Sequence, residues 1–335
     1  MTDITFIGAG ALGQGMAALL ARSGRVSLLA RPESAAALQA AGVLRVRVPD
    51  GELEVPVGAG AGAVRVNDAM AQIEPDAAVV MTPKGHNLGI AIEALQEAWQ
   101  PTTGYVLGLQ NGVQKDRLLG EAFGAERVLG AATVLGARRE DDGVVRVTGL
   151  GQTYLGEFDG SRSERLATLA ARFADAEVPC RDDLDIARLL WTKCVNALGA
   201  FGVSCLTQLP SSVMMRSEHL VGVFLDLLAE AATVATAEGH PVDDFPDLPI
   251  ATYLADDRDH RIGVITEAVR AVSLAAPSYS SMAMDVINGR QTEVAAVFGD
   301  VLDRARSHGL EVPRLALVHA VVSGMDDVRE LRPSH

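Results

Sequence analysis

The chain has 335 residues, 48% of them hydrophobic, and a formal net charge of −14. That length accommodates two domains with real cores, and the acidic balance argues against nucleic acid or an anionic membrane as a partner. The three cysteines, Cys180, Cys194 and Cys205, are odd in number and lack metal-ligand spacing, so the sequence predicts reduced thiols, no metal site and a cytoplasmic setting.

The first apolar run, Ile4 to Ile7, lacks a basic flank and reads as a buried strand, not a signal peptide. It leads into Gly8-Ala9-Gly10-Ala11-Leu12-Gly13 and an Ala-rich helical pattern reaching Ser23-Gly24. In a strand–turn–helix unit, Gly8 makes the turn, Gly10 lets the backbone approach a pyrophosphate and Gly13 lets the helix lie close on the strand. The helix start, at Ala11 and Leu12, then offers N–H groups and the positive dipole end to an anion. The same pattern also occurs as an ordinary turn in Ala/Gly-rich chains; its place on the first strand favours the nucleotide reading. A second strand, Val26 to Ala30, ends in Arg31. An NAD-preferring site places Asp or Glu there, whereas Arg suits a 2′-phosphate, so the prediction is NADP(H) with Arg31 as clamp. A solvated arginine at a strand end is the alternative.

Further along, the pattern predicts a helix over Ser34–Ala41, strands at Val43–Val48 and Leu53–Val57, a Gly/Ala-rich loop at 58–63 and a short strand at Val64–Val66. The strand Ala77–Met81 ends in Thr82-Pro83-Lys84, which puts Lys84 beside a nucleotide bound at the carboxyl ends of the strands. Of 29 basic residues only Lys84, Lys115 and Lys193 are lysines. Lysine can shed its proton where arginine cannot, which points to Lys84 and Lys193. After a helix over Asn87–Trp99, the strand Tyr105–Gly108 runs into Gln110-Asn111-Gly112, placing Asn111 at another strand end; Asn-Gly is also a common turn pair. Strands at Arg127–Leu135 and Val144–Val147 flank an Asp141-Asp142-Gly143 hairpin turn that Thr153–Leu155 extends. A helix over Ser163–Ala176 and a strand at Glu177–Cys180 close an α/β domain over 1–180. From Arg181 the strands stop. Helices over Asp185–Val203, Ser217–Glu238, Asp259–Val272, Asp285–His308 and Pro313–Met325 make an all-helical domain over 181–335. The uncharged run Cys194–Met215 carries Asn196, Gln208 and Pro210, so it reads as a buried helix and turn, not a membrane span. The predicted fold class is α/β: an N-terminal Rossmann-type doubly wound sheet followed by an all-helical C-terminal domain.

On that helical half, Lys193 heads a long uncharged stretch, with Asn196 one turn further on the same face. Semi-burial would make Lys193 a competent general acid, while on the wet face it would be an ordinary solvated lysine. Ser280-Ser281-Met282, Asp285 and Gly289-Arg290-Gln291-Thr292-Glu293 form a second cluster, readable as a helix cap followed by an acidic outer face.

Together these residues resemble the ketopantoate reductase (2-dehydropantoate 2-reductase) family over nearly the whole chain. The resemblance rests on Gly8–Gly13 with Arg31, on Lys84, on Gln110-Asn111-Gly112-Val113, on Leu135-Gly136-Ala137, on Trp191-Thr192-Lys193 and on the 280–293 cluster. It implies an NADPH-dependent reductase of a 2-keto acid, with the nicotinamide in a cleft between the domains and a homodimer formed through the helical domain. By the same resemblance Lys193 polarises and protonates the ketone oxygen, Glu293 binds the nascent hydroxyl, Ser281 holds the substrate carboxylate, and Asn111 and Asn196 line the cleft. The chain departs from the family's pattern as well. Asn196 follows the lysine by three residues where four is usual, no Asn-Pro pair follows within Leu198–Val203, and Ala295 and Phe298 replace an Asp and an Asn. These changes widen the expectation to a bulkier or more apolar 2-keto acid or carbonyl compound. The rival from another class is a non-catalytic NADP(H)-binding sensor.

Overall fold

The computed structural model describes residues 3–182, 185–246, 248–255, 257–270 and 279–331. Two compact units emerge: Met1–Gln110 with Lys115–Ile186, and Asn111–Gln114 with Ala187–His335.

In the first unit, β1 (Ile4–Ile7), α1 (Ala11–Leu20), β2 (Val26–Leu29) and α2 (Pro32–Ala41) follow the predicted order. Next come β3 (Val43–Val48), β4 (Gly51–Pro56), β5 (Val64–Asn67), β6 (Ala78–Met81), α3 (Gly85–Ala98) and β7 (Tyr105–Gly108). Strands β5, β2, β1, β6 and β7 form one parallel sheet in that order. Side-chain alternation feeds two cores: Phe6, Leu28, Val80 and Leu107 pack on the α1 side, while Ile7, Val79, Met81 and Val106 join Leu88 and Ile92 of α3. The register aligns the carboxyl ends, since Ile7 lies opposite both Leu29 and Met81, and Met81 opposite Gly108. The residues that follow each of these strands therefore leave the sheet along one edge.

A helix absent from the sequence expectation, α4 (Gln114–Phe123), follows β7. Beyond it lie β8 (Gly130–Thr133), β9 (Gly136–Arg139), β10 (Val145–Gly149), β11 (Thr153–Gly156), α5 (Glu164–Asp175) and β12 (Cys180–Arg181). The expected strand over 127–135 is corrected here. It begins with a 3-10 turn at Ala125–Arg127, and the hairpin partner of β10 is β9, not β8. Strands β8 and β11 pair in a separate sheet with β12, while β3 and β4 join β10 and β9. The predicted strand over 177–180 shrinks to Cys180–Arg181 because Glu177 turns with φ 55°.

The second unit holds α6 (Ile186–Thr207), α7 (Ser211–Met214) and α8 (Glu218–Ala237). A small hairpin, β13 (Asp244–Phe245) with β14 (Leu248–Pro249), corrects the expectation that strands cease. Then come α9 (Ile250–Leu254), α10 (Arg258–Arg270), α11 (Ser281–Ile287), α12 (Asp300–Ser307) and α13 (Pro313–Asp327). The end of the helix expected to reach Val272 lies outside the described residues. The single helix expected over 285–308 is broken. Gly289, at φ 61°, ends α11, and the chain re-enters helix through a π turn at Ala295–Gly299 before α12. Helices α6 and α8 are long and apolar enough to cross a membrane, but 78% of the most apolar window of α6 is buried within the fold. The uncharged run ends, as expected, in a turn, with Gln208 at φ 55° before α7.

Candidate active site

The glycine turn has the geometry its sequence requires. Gly8 adopts φ 108°, a region that L side chains rarely enter, and a Cβ on Gly13 would stand 2.0 Å from the Gly8 carbonyl oxygen. That clash distance shows how closely α1 rests on the end of β1. Around a Cβ on Gly10, by contrast, nothing lies within 4 Å. Gly10 is the N-cap of α1, no side chain caps that helix, and its first turn carries no acid. The space beside Gly10 is therefore open at the positive end of the α1 dipole, where helix N–H groups favour an anion. Thr82 locks the turn by donating from Oγ1 to the carbonyls of Ile7 (2.8 Å) and Gly8 (2.9 Å).

Arg31 stands two residues beyond the end of the second strand, exposed, as the N-cap of α2. Lys84 caps α3 at the end of the β6 segment, half-buried, and its carbonyl accepts from Asn87 N at 2.8 Å. Both lie on the edge expected of them. Gln110, to which the sequence reading gave no role, has a positioning one: its Nε2 donates to the carbonyls of Met81 (3.1 Å) and Pro83 (2.9 Å). It thus ties the end of β7 to the turn that presents Lys84. A glutamine at a strand end, directly before Asn-Gly, was the available signal. The third lysine is not solvated, and its side chain packs against Gly108 at the end of β7. Lys115 is only 2% exposed and pairs with Asp116 at 2.6 Å, whose carboxyl burial pushes up against the pull of the lysine charge.

In the second unit, Lys193 is half-buried on α6, flanked by the buried Thr192 and Cys194, and its Nζ donates to Asn111 Oδ1 at 3.1 Å. Asn196 follows one turn later, also half-buried. Gly112, at φ 83°, is close-packed: a Cβ there would meet the Ala296 carbonyl at 3.4 Å and Val297 Cα at 3.6 Å. The Asn111–Gly112 turn thus lies on the π turn that begins two residues after Glu293. Glu293 is 6% exposed, and its carbonyl accepts from Val297 N at 3.0 Å. Its neighbour Thr292 anchors the re-entry. Thr292 donates through N (3.2 Å) and Oγ1 (2.7 Å) to the Asp326 carboxylate, and its hydroxyl accepts from Val294 N at 3.2 Å. Asp326 has no counterpart in the sequence reading, because 34 residues separate it from Thr292 and no local pattern marks it. π turns of this kind recur at functional sites.

Ser281 is the exposed first residue of α11; the cap itself is Ser280, which accepts from Ala283 N at 3.2 Å and bonds Ser204 of α6 at 2.6 Å. The structure therefore gathers Lys193, Asn111 and the Glu293 segment, and attaches the start of α11 to α6 three turns beyond the lysine. Phe298 is fully buried and belongs to the packing of the helical unit, whereas Ala295 is exposed. Among the described residues, no cluster of His, Cys, Asp and Glu could hold a metal ion.

Residues 4–160 match the family model described as ketopantoate reductase PanE/ApbA, and residues 185–326 match the C-terminal model of the same family. The 2-dehydropantoate 2-reductase of Pyrococcus abyssi is 27% identical over 327 residues, covering 96% of this chain and 97% of that protein. The crystal structure of 2-dehydropantoate 2-reductase from Geobacter metallireducens aligns with a TM-score of 0.79 at 28% identity, covering 96% of this chain and 99% of the other. A ternary structure of D-mandelate dehydrogenase with NADH and anilino(oxo)acetate has the same fold, with a TM-score of 0.80 at 17% identity over 98% of this chain and 100% of the other.

Proposed function

The chain belongs to the ketopantoate reductase family, pyridine-nucleotide-dependent oxidoreductases acting on CH–OH groups, and on that premise we propose that it reduces a 2-keto acid to the 2-hydroxy acid with NADPH, ketopantoate being the leading candidate. The observation that carries this reading is the bond from Lys193 Nζ to Asn111 Oδ1, a half-buried ammonium held in place by an amide. The fit to a dinucleotide rests on the open, uncapped and acid-free start of α1 beside Gly10 and on the exposed Arg31.

Gly8, Gly10, Ala11, Leu12 and Gly13 hold the pyrophosphate, Arg31 takes the 2′-phosphate, and Lys84 and Asn111 border the nucleotide. When bound, the reduced nicotinamide supplies a hydride to the carbonyl carbon. Negative charge then builds on the carbonyl oxygen, where the Lys193 ammonium stabilises it and donates a proton from Nζ to complete the hydroxyl. Asn111 takes one of the three Nζ donors and so fixes the direction of the others. Glu293 accepts from the new hydroxyl, while Asn196 and Ser281 bind the polar parts of the substrate.

Lys193→Ala tests the assignment: turnover should disappear while NADPH affinity stays close to wild type, and reduction at the wild-type rate would refute it. Arg31→Glu should weaken NADPH far more than NADH. NADPH oxidation at 340 nm with ketopantoate beside branched and aromatic 2-keto acids identifies the substrate. Ala295, exposed where the family's pattern carries an Asp, favours a second reading, a bulkier or more apolar keto acid or carbonyl compound, while the buried Phe298 adds nothing to it. NADPH binding without turnover on any acid would instead indicate a sensor. A homodimer formed through the helical unit completes the reading, and sedimentation equilibrium tests it.

A further inference from the structure

The strand β9 ends in Arg139, whose exposed side chain spans from the acidic turn that follows it to the glycine turn. Nη1 donates to the Gly143 carbonyl at 2.7 Å, and Nη2 reaches the Ala9 carbonyl at 3.4 Å, inside the glycine turn and 130 residues away in sequence. The other arginines of this sheet find carboxylates. Arg47 pairs with Glu52, Glu140 and Asp142, while Arg138 and Arg146 pair with Glu140. Arg139 is bonded only to backbone carbonyls among the described residues, although Glu140, Asp141 and Asp142 follow it directly.

Its position is fixed from below. The hairpin of β9 and β10 lies on α1 where Gly15 leaves room: a Cβ there would stand 3.2 Å from Val147 and 3.8 Å from Ala137. Ala137 pairs with Val147, and Arg139 pairs with Val145, so the same packing that seats the hairpin carries the guanidinium to the N-terminal end of the helix. A cation at that end faces the positive pole of the α1 dipole, and the first turn supplies no carboxylate to offset it. Guanidinium and helix pole together favour an anion beside them.

We infer that Arg139 is a second phosphate-binding residue, gripping the pyrophosphate of the dinucleotide at the start of α1. The inference rests on the dinucleotide reading above and divides the work between two arginines. Arg31 reads the 2′-phosphate at the end of β2. Arg139 reads the pyrophosphate common to both nicotinamide cofactors, so it adds affinity without selecting between them.

Nucleotide affinity, measured by calorimetry or NADPH fluorescence without any keto acid present, tests this. In Arg139→Ala, the dissociation constants for NADPH and NADH should rise by the same factor, about tenfold, the loss of one charge-assisted contact. Arg139→Lys keeps the positive charge and should recover most of the loss, and an unchanged thermal midpoint in both variants separates the effect from damage to the hairpin. A rise for NADPH alone would assign Arg139 to the 2′-phosphate and overturn the inference, as would wild-type affinity for both cofactors in Arg139→Ala. If the wild-type protein bound neither nucleotide, the dinucleotide reading itself would fall.

Discussion

Two glycines three residues apart, Gly10 and Gly13, should respond to alanine in opposite ways. In Gly13→Ala the new Cβ would stand 2.0 Å from the Gly8 carbonyl and 2.8 Å from Thr82 Oγ1. Relief from 2.0 Å to an ordinary contact of 3.4 Å moves α1 by about 1.4 Å from the end of β1, and the obstacle is backbone, which cannot rotate away. Overpacking of this kind costs about 1–3 kcal/mol, which for a unit of this size lowers the melting midpoint by about 2–10 °C. The shift also carries the helix N–H groups off their target, so nucleotide affinity falls too. In Gly10→Ala the Cβ meets nothing within 4 Å, and the backbone at φ −72° suits alanine. Stability should stay within about 0.5 kcal/mol, yet the methyl occupies the space reserved for the pyrophosphate, so NADPH affinity should drop at least tenfold. Differential scanning fluorimetry and NADPH titration on both variants check the pair. Wild-type NADPH affinity in Gly10→Ala would refute the role given to that opening.

Burial pushes the Cys205 thiol up to about 12, with the Asp285 and Asp326 charges adding to it. Its thiolate should be about one part in ten thousand at pH 8, so iodoacetamide should label Cys205 only after denaturation, as peptide mass spectrometry would show. Asp326→Ala removes the acceptor of the Thr292 N–H and hydroxyl, which should cost about 1–3 kcal/mol and lower kcat through the displaced Glu293 while leaving NADPH affinity unchanged; steady-state kinetics beside a nucleotide titration separates the two. Burial pushes Glu157 up, but the Arg165 fork (2.7 and 2.6 Å) and the Ser163 hydroxyl outweigh it and hold its carboxyl below the usual range. A depressed carboxyl contributes stability above its unfolded value of about 4.3 and loses it as pH falls through the folded value. Glu157→Gln should therefore flatten the acid side of the stability profile below about pH 4.3, measured by urea unfolding at a series of pH values.

Most of the strand-end edge of the first unit is legible because its determinants are local. Glycine spacing, the strand-end arginine and the lysine after Thr82-Pro83 each lie within a few residues of the element they serve. The substrate side was legible only through resemblance. Nothing in the spacing of Lys193 announces that Asn111 meets it, since that bond closes over 82 residues. The misread segments have physical causes as well. Residues 127–135 carry a continuous apolar pattern, yet the chain changes sheets at Val134 and Leu135, and apolarity does not say which sheet a strand joins. Acid-rich periodicity over 285–308 concealed a break that Gly289 enforces through φ 61°. A buried ion pair between sequence neighbours, such as Lys115 with Asp116, leaves no trace in composition.

The four residues Asn111–Gln114 belong with the helical unit although the chain on both sides of them belongs to the first. Synthesis therefore delivers Asn111 long before the helix that carries its lysine partner. Until Lys193 has emerged, that segment has no native place to settle. No single cut can part the two units cleanly, because a fragment ending at residue 186 keeps residues 111–114 and discards what they bind. A chain shortened to residue 186 would keep its glycine turn and lose the partner of Asn111.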